Sequence, residues 1–375
     1  MFGRFSESPA PSVVQKTGNL GAKLMLSFLN HKKQSVGLDI GSRTLKAVEL
    51  RPSRKGNFDL VSHGYDVLSP DCIVDGVILS KNPVADTINR IFTNEHIKNN
   101  RVATSISGHS VIVKKISLPI QNEADLAESI PWEAEQYIPF DIADVNLDYQ
   151  VIGENSATGM LDILLVAVKK DKILDYTQVL TLAGKTPVIV DVDAFALQNA
   201  YEFNYEPTDN STVALLNIGA TTMTINLVAG TEFLFTRDVS VGGNHYTEFL
   251  QKEFNLSYDQ AQALKHGEAV DNISLNDVHH VIDSVTEIIS LEIQKTFDFF
   301  KSTSTVDNID RMLVSGGAAH TSGLIDALEK KFEIPVEKFN SFRKISADPQ
   351  RFPMLDEQSP DMAIAVGLAL RSAEA

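Results

Sequence analysis

The sequence predicts an α/β protein built from two related halves. Three observations carry that reading. Val36 to Leu50 (VGLDIGSRTLKAVEL) and Ala214 to Val228 (ALLNIGATTMTINLV) follow one pattern, with Leu38, Ile40, Gly41 and Thr44 matching Leu216, Ile218, Gly219 and Thr222. Each reads as an apolar strand, a glycine turn rich in small hydroxyl residues, and a second strand. Met312 to Leu324 (MLVSGGAAHTSGL) adds a strand, closely placed glycines and a helix-compatible run from about Thr321. A chain of 375 residues suits two or three domains.

A turn of this kind can hold phosphate, because successive backbone N–H groups point outward and form an anion-binding concavity. Gly41 and Gly219 are expected to take φ > 0 and to let the backbone approach the ligand. Ser42, Thr44, Thr221 and Thr222 add hydroxyl donors. Lys46 adds a cation on the strand leaving the first turn. Asp39 ends the incoming strand, where a carboxylate can hold Mg²⁺ directly or through water. Either D-I-G or N-I-G alone is also an ordinary turn, since Asp, Asn and Gly dominate turns; their repetition favours phosphate. Gly316, Gly317 and Ala318 follow a strand, where a flat ring can lie against the backbone at the carboxyl end of a sheet. Neither G-x-G-x-x-G before a helix nor G-x-x-x-x-G-K-[ST] occurs, which disfavours dinucleotide and P-loop folds.

The elements follow in order. Segments 36–41, 44–50 and 58–63 read as a β-meander. A helix is expected near Asn82 to Asn94, and strands across Arg101 to Pro119. Asn122 to Tyr137 reads as a helix, with an Asn-Glu pair suited to its N-terminus. Asn146 to Ile152 and Leu161 to Val168 are strands joined by the turn-prone GENSATG. Asp171 to Ala183 is a helix and Pro187 to Asp193 a strand. Glu206 to Ser211 is polar and turn-rich and reads as the domain linker. After the second hairpin come Glu232 to Arg237 and helices over Tyr246 to Phe254, Ser257 to His266 and Ser274 to Lys301, the last expected to be broken. The predicted division is a tail over 1–35, a first core domain over 36–102 plus 169–208, an insert over 103–168 and a second domain over 209–375.

Strand-DIGS-strand, then NIGATT with Val239 to Gly243 behind it, then LVSGGA, in that order, resembles the actin-like ATPase superfamily. Val188 to Tyr201 and Asp361 to Arg371 stand where that superfamily has its two connecting helices. Pro131 to Phe140 (PWEAEQYIPF) narrows the resemblance to the PilM family of type IV pilus assembly proteins, itself similar to the division protein FtsA. The likeness runs from about Val36 to the C-terminus. It implies ATP and Mg²⁺ between two domains, and an inserted subdomain in place of the usual actin insertion. Asp39, Ser42, Arg43, Thr44 and Lys46 carry over to the first phosphate motif. Asn217, Gly219, Ala220, Thr221 and Thr222 carry over to the second, with Gly242 and Gly243 behind it. Gly316, Gly317 and Ala318 carry over to the adenosine motif. The superfamily usually has aspartate where this chain has Asn217, which implies weaker hold on Mg²⁺ and slow hydrolysis. Asp193 either places the attacking water or caps the helix that follows. Glu292 and Lys295 are either ribose and adenine contacts or a surface i,i+3 ion pair.

The resemblance also implies partners: the cytoplasmic N-terminus of PilN, other inner-membrane pilus assembly proteins, and self-association. Trp132, Tyr137, Ile138 and Phe140 are either anchors of the partner groove or the insert's own core. Two alternatives use the same fold, an FtsA-like filament-forming ATPase and a small-molecule kinase. The first needs a C-terminal amphipathic helix, and the tail LRSAEA is short and not amphipathic.

Composition sets limits. The chain is 43% hydrophobic and 22% charged, as suits a globular protein. Its net charge of −16 argues against nonspecific nucleic-acid binding. No run of about 18 apolar residues suggests a transmembrane span. With the resemblance, which implies attachment through inner-membrane partners, these limits lead to the expectation of a cytoplasmic protein peripheral to the inner membrane. The lone Cys72 reads as a buried small residue. His279 and His280 are adjacent on a helix, face different ways, and do not form a metal site. Residues 1–35 carry Arg4, Lys16, Lys23, Lys32 and Lys33 against Glu7, leaving −20 for the remainder. That segment reads as a partner-binding tail, an amphipathic membrane contact or a helix on the body.

Overall fold

The computed structural model describes residues 34–53, 56–74, 76–155, 158–207, 211–270, 273–306 and 308–374. The basic tail and the centre of the expected linker lie outside the described residues.

The meander is present as β1 (Val36–Ile40), β2 (Thr44–Pro52) and β3 (Phe58–Val67). A small hairpin of β4 (Ile73–Val74) and β5 (Val77–Ile78) precedes α1 (Lys81–Asn94). Strands β6 (Arg101–Ile106) and β7 (Val111–Pro119) lead to α2 (Glu123–Ala134), whose N-terminus is capped by Asn122 accepting from the Asp125 amide at 3.0 Å. Then come β8 (Val145–Asn155), β9 (Met160–Lys169), α3 (Lys170–Leu182), β10 (Thr186–Val192) and α4 (Asp193–Tyr205). The second half runs through β11 (Thr212–Ile218), β12 (Met223–Ala229) and β13 (Glu232–Val239) to α5 (Gly243–Phe254) and α6 (Tyr258–Lys265). It continues with α7 (Leu275–Thr303), β14 (Arg311–Ser315), α8 (Leu324–Phe332), β15 (Val336–Lys338), α9 (Leu355–Gln358) and α10 (Ala363–Glu374).

The likeness of the two hairpins extends to whole sheets. The first sheet has the order β10-β6-β1-β2-β3 and the second β15-β14-β11-β12-β13. In each, the hairpin and third strand are antiparallel, and the remaining two strands join the hairpin's first strand in parallel. The turns match residue for residue. Ile40 pairs with Leu45 and Ile218 with Met223, so four residues lie between the last paired positions in both halves.

Helices α4 and α10 lie between the sheets. Their apolar side chains share one core with Val48, Leu50 and Ala103 of the first sheet and Val213, Leu215 and Leu313 of the second. Backbones meet closely there. A Cβ on Gly37 would lie 2.0 Å from the Ala365 carbonyl oxygen, and one on Gly367 would lie 1.7 Å from that of Ala196. Arg371 of α10 pairs with Asp191 of β10 at 3.1 Å, with both side chains 3% exposed. The C-terminal helix thus packs on the first domain although it follows the second in sequence.

Two other expectations are corrected. Arg101–Ile106 was divided at residue 103, but β6 pairs with β1 and β10 throughout and belongs to the first sheet. The separate three-stranded sheet, β7-β9-β8, therefore begins at Val111, with α2 packed on it. Ser274 to Lys301 was expected to break, but α7 is one helix of 29 residues. Val278, Ile282, Val285, Ile289, Ile293, Phe297 and Phe300 form one apolar stripe along it, which joins the core of the second domain. Cys72 is buried, as expected.

Candidate functional site

The two glycine turns face each other across a cavity of ≈ 470 Å³. Its walls hold Asp39 to Thr44 and Lys46 from the first half. Asn217, Gly219 to Thr222, Gly243 and Gly316 to Ala318 come from the second. The Ser42 and Thr221 hydroxyls lie 2.9 Å apart, linking the turns directly. Arg43 reaches across the cleft to lie 4.3 Å from the centre of the Tyr258 ring, while its Nη1 donates to the Leu68 carbonyl.

The glycines are required for a reason other than the expected one. Neither Gly41 nor Gly219 has positive φ. Each closes its turn so tightly that a Cβ would meet the carbonyl oxygen three residues on, Thr44 at 2.7 Å and Thr222 at 3.0 Å. Gly316 does have positive φ, 83°, and a Cβ there would lie 2.5 Å from the Ile218 oxygen and 2.8 Å from Asn217 Oδ1. This glycine lets the segment from Gly316 to Ala318 lie against the second hairpin. Gly242 and Gly243 act from behind. The amides of Gly243 and Asn244 donate to the carbonyls of Gly219 and Ala220, both at 2.8 Å. The start of α5 therefore braces the second turn. Gly243 also lines the cavity, whereas Gly242 does not.

Charge is concentrated on the first side. Lys46 Nζ lies 2.9 Å from Asp39 Oδ2, and both side chains are nearly buried. Burial disfavours the Lys46 ammonium, but Asp39, Asp361 and Asp193 outweigh it and hold its pKa above the ordinary value. Asp193 lines the same cavity at the start of α4. Burial and the neighbouring Asp39 push its carboxyl up to about 7, with Asp238 adding and the nearby Ser105 and Ser107 hydroxyls opposing. It therefore changes charge near neutrality. Asn217 occupies the site in the second hairpin that Asp39 occupies in the first: Asp39 faces Lys46 and Asn217 faces Thr224 in register. The Ser315 hydroxyl donates to the Leu216 carbonyl at 2.9 Å beside Asn217.

Glu292 and Lys295 are not in the cavity. They form an exposed i,i+3 pair on α7, with Arg237 a further 3.7 Å partner of Glu292. The i,i+3 pair that does face the cleft is Gln262 and Lys265 on α6. Burial lowers the Lys265 ammonium to about 8, against the pull of Asp361 and with help from Arg43. His266 also lines the wall, and His320 Nε2 lies 3.0 Å from Asp361 Oδ2. Sequence reasoning missed this side. The signal available was Tyr258, Gln262 and Lys265 at i, i+4 and i+7, one face of a helix.

On the insert, Ile138 is buried, and Tyr137 and Phe140 pack against the core between α2 and the small sheet. Lys114 and Lys169 lie over the Tyr137 and Phe140 rings at 4.6 Å and 4.2 Å. Trp132 differs from its neighbours, at 72% exposed.

A family model for type IV pilus assembly protein PilM matches residues 37–373. The chain belongs to the PilM family. This family member is similar to the solved structure of a PilM-PilN type IV pilus biogenesis complex. The identity is 26%, the TM-score 0.81, and the match covers 92% of this chain and 100% of that one. The fold is shared more widely. Ethanolamine utilization protein EutJ from Carboxydothermus hydrogenoformans is 14% identical with a TM-score of 0.54, covering 93% of this chain and 92% of that one. MreB5 of Spiroplasma citri bound to ADP is 13% identical with a TM-score of 0.50, covering 90% and 95%. The PilM-family chain thus has the actin-like fold, and no described helix is long and apolar enough to cross a membrane.

Proposed function

We propose that this PilM-family protein is a nucleotide-responsive scaffold of the type IV pilus assembly machinery that binds the cytoplasmic N-terminus of PilN. The observation that carries the nucleotide reading is the pair of glycine turns, identical in length and register, facing each other across one cavity. Backbone amides and hydroxyls of the two turns would hold the phosphates of ATP. Gly316 to Ala318 and the α6 face would hold the nucleoside. The site suits Mg²⁺ on one side only, because Asp39 offers a carboxylate and Asn217 does not. A Mg²⁺ held beside Asp39 would neutralise phosphate charge. Asp193 stands where it can orient a water, and its raised pKa lets it accept a proton there. Binding rather than fast hydrolysis is the working role of the cleft, because Asn217 removes one of the two charges.

The partner reading is supported by the likeness to the PilM-PilN complex across the whole chain. The protein would then be cytoplasmic and held at the inner membrane through its partners, with further pilus assembly proteins and self-association completing the assembly. Division-type filament and small-molecule kinase readings lack comparable support. Calorimetry with a PilN N-terminal peptide, run without nucleotide and with ATP or ADP, tests the proposal. Binding is expected, with affinity altered by nucleotide. No binding in any state would sink the partner assignment.

A further inference from the structure

Among the described residues, three polar contacts join the segment Gly108 to Lys115, which leads into the inserted sheet, to the β13 side of the second domain. His109 Nε2 lies 3.3 Å from Ser240 Oγ, and Lys115 Nζ lies 3.4 Å from Glu232 Oε1. Both contacts are exposed to water, where such pairs contribute little. The third is different. Asp238 accepts the Gly108 amide on Oδ2 at 2.5 Å and the Thr224 hydroxyl on Oδ1 at 2.7 Å. One carboxylate therefore holds a group from each domain.

Both ends of this bridge reach the cleft wall. Thr224 lines the cavity and stands in register between Asn217 and Asp238, so a row of three side chains crosses the second sheet from the phosphate turn to the insert. Ser107, which precedes Gly108, lines the cavity from the first domain. Three residues after Gly108, the chain enters β7, an edge strand of the inserted sheet. Gly108 has a φ of 86°, a turn that carries its amide inward to the carboxylate. Apolar packing supports the same joint. Phe233 of β13 shares a core with Leu164, Val166 and Val168 of β9 and with Phe195 of α4.

We propose that Asp238 is the positioning residue that couples the nucleotide cleft to the inserted sheet. The inference rests on the nucleotide-binding reading above and adds to it the route to the partner-binding element. A ligand drawing the two turns together changes where Thr224 stands relative to Ser107. The carboxylate between them can keep both hydrogen bonds in only one relative placement of the domains. That difference in contacts between states is what coupling requires. Asp238 does not line the cavity itself, so its loss should spare nucleotide affinity while cutting the link.

Hydrogen–deuterium exchange on the full chain tests this with wild type, Asp238→Ala and Asp238→Asn. The last keeps shape and one acceptor, and serves if the alanine variant folds poorly. In wild type, ATP or ADP should slow exchange in both turns and alter it in residues 111–169. In Asp238→Ala the turns should still be protected, with nucleotide affinity within about threefold, while 111–169 no longer responds. Without nucleotide, residues 107–118 should exchange about tenfold faster in the alanine variant, through loss of the charge-assisted bond. An insert response that persists in Asp238→Ala, or a wild-type insert that ignores bound nucleotide, overturns the coupling. If wild type binds no nucleotide, the functional reading fails. The comparison without ligand then still decides the bridge, and equal exchange in 107–118 overturns it.

Discussion

Replacing Asp193 with asparagine should stabilise the protein above neutral pH. The carboxyl ordinarily titrates at 3.8 and is pushed to about 7 in the fold, by burial first and then by Asp39. A raised carboxyl pKa means that the folded state binds more protons than the unfolded one, so stability falls as pH rises from 3.8 to about 7 and stays lower beyond. At 1.36 kcal/mol per unit, that shift is worth ~4 kcal/mol for a fully enclosed group. Asp193 is half-buried on the cleft wall, which reduces the figure to about 2 kcal/mol. Loss of a charge that favours the N-terminus of α4 returns roughly 0.5 kcal/mol. Asparagine keeps one acceptor oxygen and exchanges the other for an amide NH2, at a residue that lines the cavity. Urea unfolding of both proteins at about pH 5 and about pH 8 checks this, and the gain should be larger by about 1 kcal/mol at the higher pH. A gain of equal size at both pH values, or a loss at about pH 8, would refute the assignment of Asp193 as a carboxyl forced to ionise in a buried site.

Three other outcomes are expected. Gly367→Ala should destabilise by roughly 3 kcal/mol or more, because its Cβ would meet the backbone of α4 where neither helix can withdraw; the urea midpoint measures it. Arg371→Met should cost roughly 3 kcal/mol, because it leaves Asp191 charged and buried. Burial already holds the Asp191 carboxyl above its usual range against the pull of Arg371, so the variant's deficit should shrink as pH falls and the carboxyl protonates. Trp132→Ala should leave the melting temperature within about 2 °C, since the side chain is exposed and makes no core contact, while peptide binding weakens if the ring anchors the partner; calorimetry beside a thermal melt separates the two.

Much of the candidate site was legible because glycine turns between paired strands are local. Asp39 to Lys46 and Asn217 to Thr222 are contiguous segments whose residue types suit the turn, and the structure brings both to one cavity. The reason for glycine was misread, because a close approach to Thr44 or Thr222 depends on the path of the turn and not on composition. Glu292 and Lys295 were candidates on spacing alone. Spacing identifies a helix face but not the direction it points, and the fold turns that face of α7 to solvent and presents α6 to the cleft. The aromatic run at Trp132 to Phe140 divided for a similar reason. One ring faces water and the rest cover a small sheet that no local pattern describes.

The sequence by itself determined that two related hairpins and a third glycine element exist, and that one hairpin has Asp39 where the other has Asn217. These features depend on side-chain type and on hydrogen bonding within a few residues. Only the tertiary structure decided which groups stand between the halves. Lys265, Asp361 and Asp193 meet Lys46 and Arg43 there, and Asp238 joins Thr224 to Gly108, although each pair lies far apart along the chain. Their ionisation and contacts arise from burial by α4, α10 and the opposing sheets, and burial is a property of packed surfaces that no single segment carries.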